Sequence, residues 1–291
     1  MWGSRVKVYV LGAGTPTPTA QRFGSSYVIE VDGALLLFDC GPATTHKLVK
    51  AGLWPTAVTH VFFTHHHFDH DVDLPCLLLC RWDQSIGLEA QLKIFGPPPT
   101  KRFTEGIIGP EGVFAHDWKA RIALPGSQRV YVNRGGTLPR PAPVVDAVDV
   151  EPGFSYSSAN WRVTAALAEH AQPYLDSLAW RLDTPDGSVV VTGDTQPCAT
   201  VEALALGADL MLCMCWDRQR RMDEMGENVG QCGSTEAGRL AERAHVRQLV
   251  LVHAGAKLEE PEGHEGALSD VARVYSGIVT LASELDVYEI S

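Results

Sequence analysis

The stretch Thr64-His65-His66-His67-Phe68-Asp69-His70 decides how the chain is to be read. Four of the 11 histidines fall between positions 65 and 70, which random placement would almost never produce. Alternate side chains of an extended segment project to one side, so His65 and His67 share a face while His66 points away. Asp69 and His70 can turn to the other side as the segment enters a helix. One loop thus offers imidazole and carboxylate donors to two adjacent sites. Zinc suits such nitrogen and oxygen ligands, and paired metal ions can activate a shared water. The bland alternative is a histidine-rich surface tract.

Outward from this motif the chain is a succession of short β-rich runs. Residues 6–12, 26–31, 34–39 and 58–64 read as strands, with Asp32-Gly33 as a hairpin turn, and 42–52 as a helix stopped by Gly52. After a less regular, Pro- and aromatic-rich stretch, strands resume at 163–167, 177–182 and 188–192, with Pro185-Asp186-Gly187 as a turn. Residues 234–244 form an amphipathic helix with Ser234 as N-cap, and 248–252 a buried strand. Four further candidates each follow a strand: Asp39 in LLLFDCG, His170 in AALAEHAQP, Asp194 in VVVTGDT and His253 in QLVLVHAG. Singly, such residues are commonly structural; in this order they form a pattern.

With those residues in place the sequence resembles the metallo-β-lactamase superfamily over most of its length. The resemblance implies a four-layer αββα sandwich of the α/β (α+β) class and a dinuclear zinc hydrolase. It assigns His65, His67 and His170 to one zinc, and Asp69, His70 and His253 to the other. Asp194 bridges the two beside a hydroxide, and Asp39 orients a ligand from behind. Asp69 and Asp194 are accordingly the candidate catalytic carboxylates, and manganese or iron are the alternative metals.

The opening LGAGTPTPTAQRFGSSYVIEVDG and the late STEAGRLAERAHVRQLVLVH resemble the ribonuclease Z and arylsulfatase-like branch. Phosphodiester-cleaving members of that branch carry a histidine just before the late helix, and Gln231 occupies its place here. An amide can hydrogen-bond but cannot donate a proton as imidazolium does, and losing a general acid typically costs about 10² to 10⁴ in rate. Trp216, after a buried strand, and aromatics of the 80–120 region are candidate walls for a ring-bearing substrate, and 217–230 a candidate lid. Asp71 and Asp73 read as helix N-terminal carboxylates or as supports of the metal site. From this follows the expected activity, hydrolysis of a small aromatic or cyclic aryl ester, sulfate ester or lactone. The alternatives are hydrolytic displacement (dehalogenation or demethoxylation) on an electron-poor ring, a phosphodiesterase or ribonuclease Z-type nuclease, and a non-hydrolytic metal-binding or diiron redox protein.

Composition points the same way. The chain has 291 residues, 24 Lys and Arg against 35 Asp and Glu, and a net charge of −11. That balance disfavours a polyanionic partner, so the expected partner is a small molecule, with no membrane and with nucleic acid disfavoured. The seven cysteines include no C-x-x-C and sit among apolar neighbours, and no apolar run approaches a membrane span. A cytoplasmic homodimer is expected. Residues 1–291 read as a single domain with a partly helical insertion at about 75–160.

Overall fold

The computed structural model describes residues 6–88 and 91–290. Two sheets of seven strands lie face to face. The first takes β1 (Val6–Ala13), β2 (Ser25–Val31), β3 (Ala34–Phe38), β4 (Val58–Phe62), β5 (Leu92–Gly96) and β6 (Val145–Asp149) in sequence order. The second takes β7 (Ser155–Ser157), β8 (Arg162–Leu167), β9 (Leu178–Thr184), β10 (Gly187–Val191), β11 (Leu210–Met214), β12 (Gln248–Val252) and β13 (Ile278–Leu281). The last strand, β14 (Val287–Ile290), returns to pair antiparallel with β1, Val6 opposite Ile290.

Alternation within the strands makes the layers. In β3, Leu36 and Phe38 enter the core between the sheets, whereas Leu35 and Leu37 face outward beneath helices α1 (Thr44–Lys50) and α3 (Leu74–Gln84); short α2 (Phe68–Asp71) precedes α3. In β11, Leu210 and Leu212 face inward while Met211 and Cys213 pack outward, against α7 (Ala199–Ala205), α9 (Ser234–Arg243) and α10 (Pro261–Ala272). Both faces of both sheets are covered, which is why these strands read as nearly continuous apolar runs. The result is the expected αββα sandwich.

Two expectations need correction. The stretch at about 75–160 is not wholly an excursion: it supplies β5 and β6 to the first sheet and β7 to the second. What leaves the sheet is the helical run α4 (Thr100–Ile108), α5 (Ala115–Ala123) and α6 (Pro125–Asn133), whose prolines and buried aromatics hid the strands on either side. Ser234 does not cap its helix. Gly233 holds that position, and the Ser234 hydroxyl donates to Asp270 and accepts from the Gln219 backbone N–H, tying α9 to α10 and to α8 (Gln219–Met225). Among the described residues no helix is long and apolar enough to cross a membrane.

His60 on β4 has no part in the motif and sits among the rings of Phe62, Tyr156 and Trp161. Burial, reinforced by Lys93, pushes its pKa down to about 4 from 6.5. The folded chain therefore holds it neutral while the unfolded chain protonates it, so its contribution is present above about pH 6.5 and is lost as pH falls toward 4. Thermal denaturation of His60→Leu across that window is expected to show a shallower acid-side decline than the wild type; parallel curves would refute it.

Candidate metal centre

The motif is positioned from both sheets. β4 delivers Phe63 and Thr64, whose carbonyls accept from the Trp180 indole (2.9 Å) and the Leu178 N–H (2.8 Å) of the facing sheet. The chain stays extended to His67 and then turns into α2, so His65 and His67 project together while Asp69 and His70 leave from the helix. His66 points the other way, its ring nitrogens 3.1 Å from Asp71 and 2.7 Å from the Thr100 hydroxyl. His170, Asp194 and His253 follow β8, β10 and β12, which run in the same direction, so all three meet the motif at one edge of the sandwich.

The candidate ligand atoms form two groups. Those of His65, His67, His170 and Asp194 lie within 4.8 Å of one another, as do those of Asp69, His70 and His253. Asp194 touches both: its oxygens lie 3.8 Å from His170 Nε2, 3.5 Å from His70 Nε2 and 3.1 Å from His253 Nε2.

Outer partners fix which nitrogen faces inward. Asp39 is fully buried; one oxygen accepts the Thr64 N–H and the other accepts both the Thr64 hydroxyl and His70 Nδ1, each at 2.8 Å. His70 therefore presents Nε2 to the site. Because the Thr64 hydroxyl donates to Asp39, it can only accept from His65 Nδ1 (3.0 Å), and His65 also presents Nε2. His170 Nδ1 donates to the Gly230 carbonyl at 2.7 Å, leaving its Nε2 inward. This is how proteins orient metal-binding imidazoles.

A divalent cation fits this donor set. Asp69 Oδ1, His70 Nε2, Asp194 Oδ1 and His253 Nδ1 are buried without a hydrogen-bond partner among the described residues, a cost that a cation would relieve for those facing the centre. Burial, helped by neighbouring imidazoles, holds His65 and His67 neutral, the ligating form. Burial opposes ionisation of Asp194, yet His253 and His70 hold it well below the carboxylate range. Burial likewise opposes a charge on His70, yet Asp194 and Asp39 raise its pKa well above the ordinary value, so these carboxylates call for positive charge at this spot.

Other expectations fare differently. Trp216 does stand over the site, its ring 6.0 Å from that of His253. Of the other aromatics, Trp82, Phe95 and Trp118 are buried in the core, and Phe103 packs on His66. Asp73 does not support the metals; its carboxylate accepts the Thr45 N–H in the first turn of α1. The segment 217–230 is not a free lid, since it contains α8 with buried Met222, and Arg218 grips Asp270 through two bonds of 2.9 and 3.0 Å. Gln231 lies between Gly230, which holds His170, and Cys232, whose carbonyl accepts the Trp216 N–H; its Oε1 is buried without a partner among the described residues.

Two contributors carry little signature in the sequence. Thr64 links Asp39 to His65, and the only hint was its place at a strand end. Gly230 has φ +72, and any side chain there would collide with the His170 carbonyl.

Fold and cluster together define a metal-dependent hydrolase. Residues 35–254 match the family described as "Beta-lactamase superfamily domain". A Mycobacterium sp. (strain KMS) protein named Ribonuclease Z is 33% identical over 258 residues, which is 85% of this chain and 84% of that protein. Among solved structures, the metallo-beta-lactamase fold protein YhfI from Bacillus subtilis superposes with a TM-score of 0.72 at 21% identity, covering 98% of this chain and 99% of its own. The short form of human tRNase Z (ELAC1) gives 0.68 at 22%, with the same coverages. The chain belongs to the metallo-β-lactamase superfamily, in its ribonuclease Z branch. The relative named Ribonuclease Z overturns the expectation of a small-molecule substrate with nucleic acid disfavoured: a net charge of −11 averages over the whole surface and says nothing of a local face.

Proposed function

We propose that the chain is a dinuclear, zinc-dependent phosphodiesterase of the ribonuclease Z type that cuts an RNA strand. The observation that carries this reading is the convergence of five histidines and two aspartates at one sheet edge, in a chain whose relatives over most of its length are named Ribonuclease Z. His65, His67 and His170 would hold one ion, Asp69, His70 and His253 the other, with Asp194 shared; this nitrogen and oxygen set suits zinc. Metal ions held there supply Lewis-acid polarisation of the phosphodiester and activation of water. Asp194 and Asp69, each with a buried oxygen lacking a partner among the described residues, would orient the attacking water by accepting a hydrogen bond from it. Trp216 offers a face on which a nucleobase stacks, worth about 1–3 kcal/mol.

Gln231, next to the residues holding His170 and Trp216, can donate a hydrogen bond to the departing oxygen but cannot release a proton to it. A ribose alkoxide leaves poorly without one, so the rate on RNA is expected to be limited by leaving-group departure. General acids typically contribute about 10² to 10⁴, and Gln231→His is expected to raise RNA cleavage by about an order of magnitude or more while p-nitrophenolate release barely changes. A drop in RNA cleavage would mean that position 231 does not face the leaving group.

The reading is tested by offering the metal-loaded protein a precursor transfer RNA, bis(p-nitrophenyl) phosphate, aryl esters and lactones. Endonucleolytic cleavage of the precursor and turnover of the diester support it. Rapid ester or lactone hydrolysis with both phosphodiesters untouched would overturn it.

A further inference from the structure

Charge is distributed unevenly in this chain. Residues 100–142, which contain α4, α5 and α6, carry seven Lys and Arg against three Asp and Glu, a net +4, so the remainder of a chain of net −11 carries −15. This basic run begins at the metal loop: Thr100, first residue of α4, bonds His66 between two candidate ligands, and exposed Lys101 and Arg102 follow it.

Within the run, three guanidinium groups converge on one carboxylate. Asp83, near the end of α3, receives Arg140 at 3.0 Å, Arg134 at 3.1 Å and Arg121 at 3.5 Å. Asp117 offsets part of this charge by pairing with Arg121 at 2.9 Å, so an excess of positive charge remains. Arg140 is only 6% exposed, stacks 3.8 Å above the Trp82 ring and 4.9 Å from that of Tyr131, and its Nε is buried without a hydrogen-bond partner among the described residues. The three arginines, Asp83, Tyr131 and Ser127 line an open cavity of about 250 Å³. Fixed forks of N–H donors in positive excess, beside a cavity with a hydroxyl on its wall, match the oxygens of a phosphate group. The cavity lies away from the cleavage centre: α3 starts just after the helix carrying Asp69 and His70 and carries Asp83 roughly 14 Å along its axis.

We infer that the cavity of Arg121, Arg134 and Arg140 binds a backbone phosphate of the RNA substrate, making the 100–142 run a docking face that holds the strand while the metal centre cuts it. This inference rests on the RNA reading of the metal centre. It also explains how an acidic protein engages a polyanion: affinity comes from the local field of this face, with the rest of the surface repelling strands that approach elsewhere.

The test uses the full metal-loaded protein with Arg121→Ala/Arg134→Ala, sparing the stacked Arg140 so that the fold is kept. On precursor transfer RNA the double variant is expected to raise KM about tenfold and to flatten the log–log salt dependence by about 0.7–0.9 for each phosphate it no longer neutralises. Turnover of bis(p-nitrophenyl) phosphate, too small to span both places, is expected to stay at the wild-type level. Arg121→Lys/Arg134→Lys, which keeps charge but not the fork, is expected to recover part of the affinity. Unchanged KM and salt slope would overturn the inference, as would equal losses on both substrates. If inorganic phosphate binds the wild type and not the Ala variant while RNA kinetics stay the same, the cavity takes a free anion and the docking claim falls. If the wild type leaves the precursor uncut, the RNA reading of the centre fails separately. The docking claim is then decided by RNA retention in a mobility-shift assay: weaker retention by the Ala variant supports it, equal retention overturns it.

Discussion

Asp194→Asn is expected to yield a folded protein with no hydrolysis above the metal-free background. Asp194 approaches both donor groups, with oxygens 3.5 Å from His70, 3.8 Å from His170 and 3.1 Å from His253. Asn keeps the volume and one acceptor but removes the negative charge. On the proposed two-ion reading, cations held mainly by imidazoles would then repel each other with less anionic compensation in a buried site, where charge is poorly screened. Metal content by mass spectrometry is expected to fall together with turnover, while circular dichroism stays native. A variant with full metal content and wild-type turnover would remove Asp194 from the centre.

The second large effect is expected at a residue that touches no metal. Asp39→Asn is expected to weaken metal affinity or activity by about 10- to 100-fold, the range for groups that orient ligating histidines. Asp39 has φ +58, a conformation that Asn tolerates, so the exchange adds little backbone strain. What it changes is acceptance. The carboxylate takes three donors, the Thr64 N–H, the Thr64 hydroxyl and His70 Nδ1, and an amide must turn its NH2 toward some of them. Either the Thr64 N–H loses its partner or His70 and His65 lose the arrangement that keeps their Nε2 atoms turned inward. Metal titration of stripped protein distinguishes this from simple unfolding, and an unchanged affinity would refute the orienting role.

Much of this was legible because the informative residues sit where strands end. Residues 65, 67, 69 and 70 are neighbours in sequence and their geometry follows from an extended segment entering a helix. Asp39, His170, Asp194 and His253 are far apart in sequence, but each terminates an apolar run, and strands running in one direction bring such positions to one edge. Thr64 and the Gly230 carbonyl were not legible, since a hydroxyl or a backbone oxygen becomes a partner only once two distant segments meet. Ser234 shows the same limit: it stands where a cap belongs, yet its hydroxyl is drawn to Asp270 on another helix. Strands β5 and β6 were masked by the prolines and aromatics of the helices between them.

The substrate expectation failed for a different reason. Whole-chain charge and a single amide at 231 both argue against a polyanion when each is taken alone. Net charge is a sum, and it concealed a +4 segment that begins beside the metal loop. A missing proton donor slows departure of a poor leaving group without selecting another substrate, because the site and not the leaving group sets which bond is held.

The most direct measurement is to strip the protein with a chelator and titrate zinc back while following phosphodiester hydrolysis and bound metal together. A dinuclear hydrolytic centre predicts no turnover without metal and a rise that saturates near two ions per chain. Turnover independent of metal, or a fully loaded chain that leaves every phosphodiester intact, would contradict it.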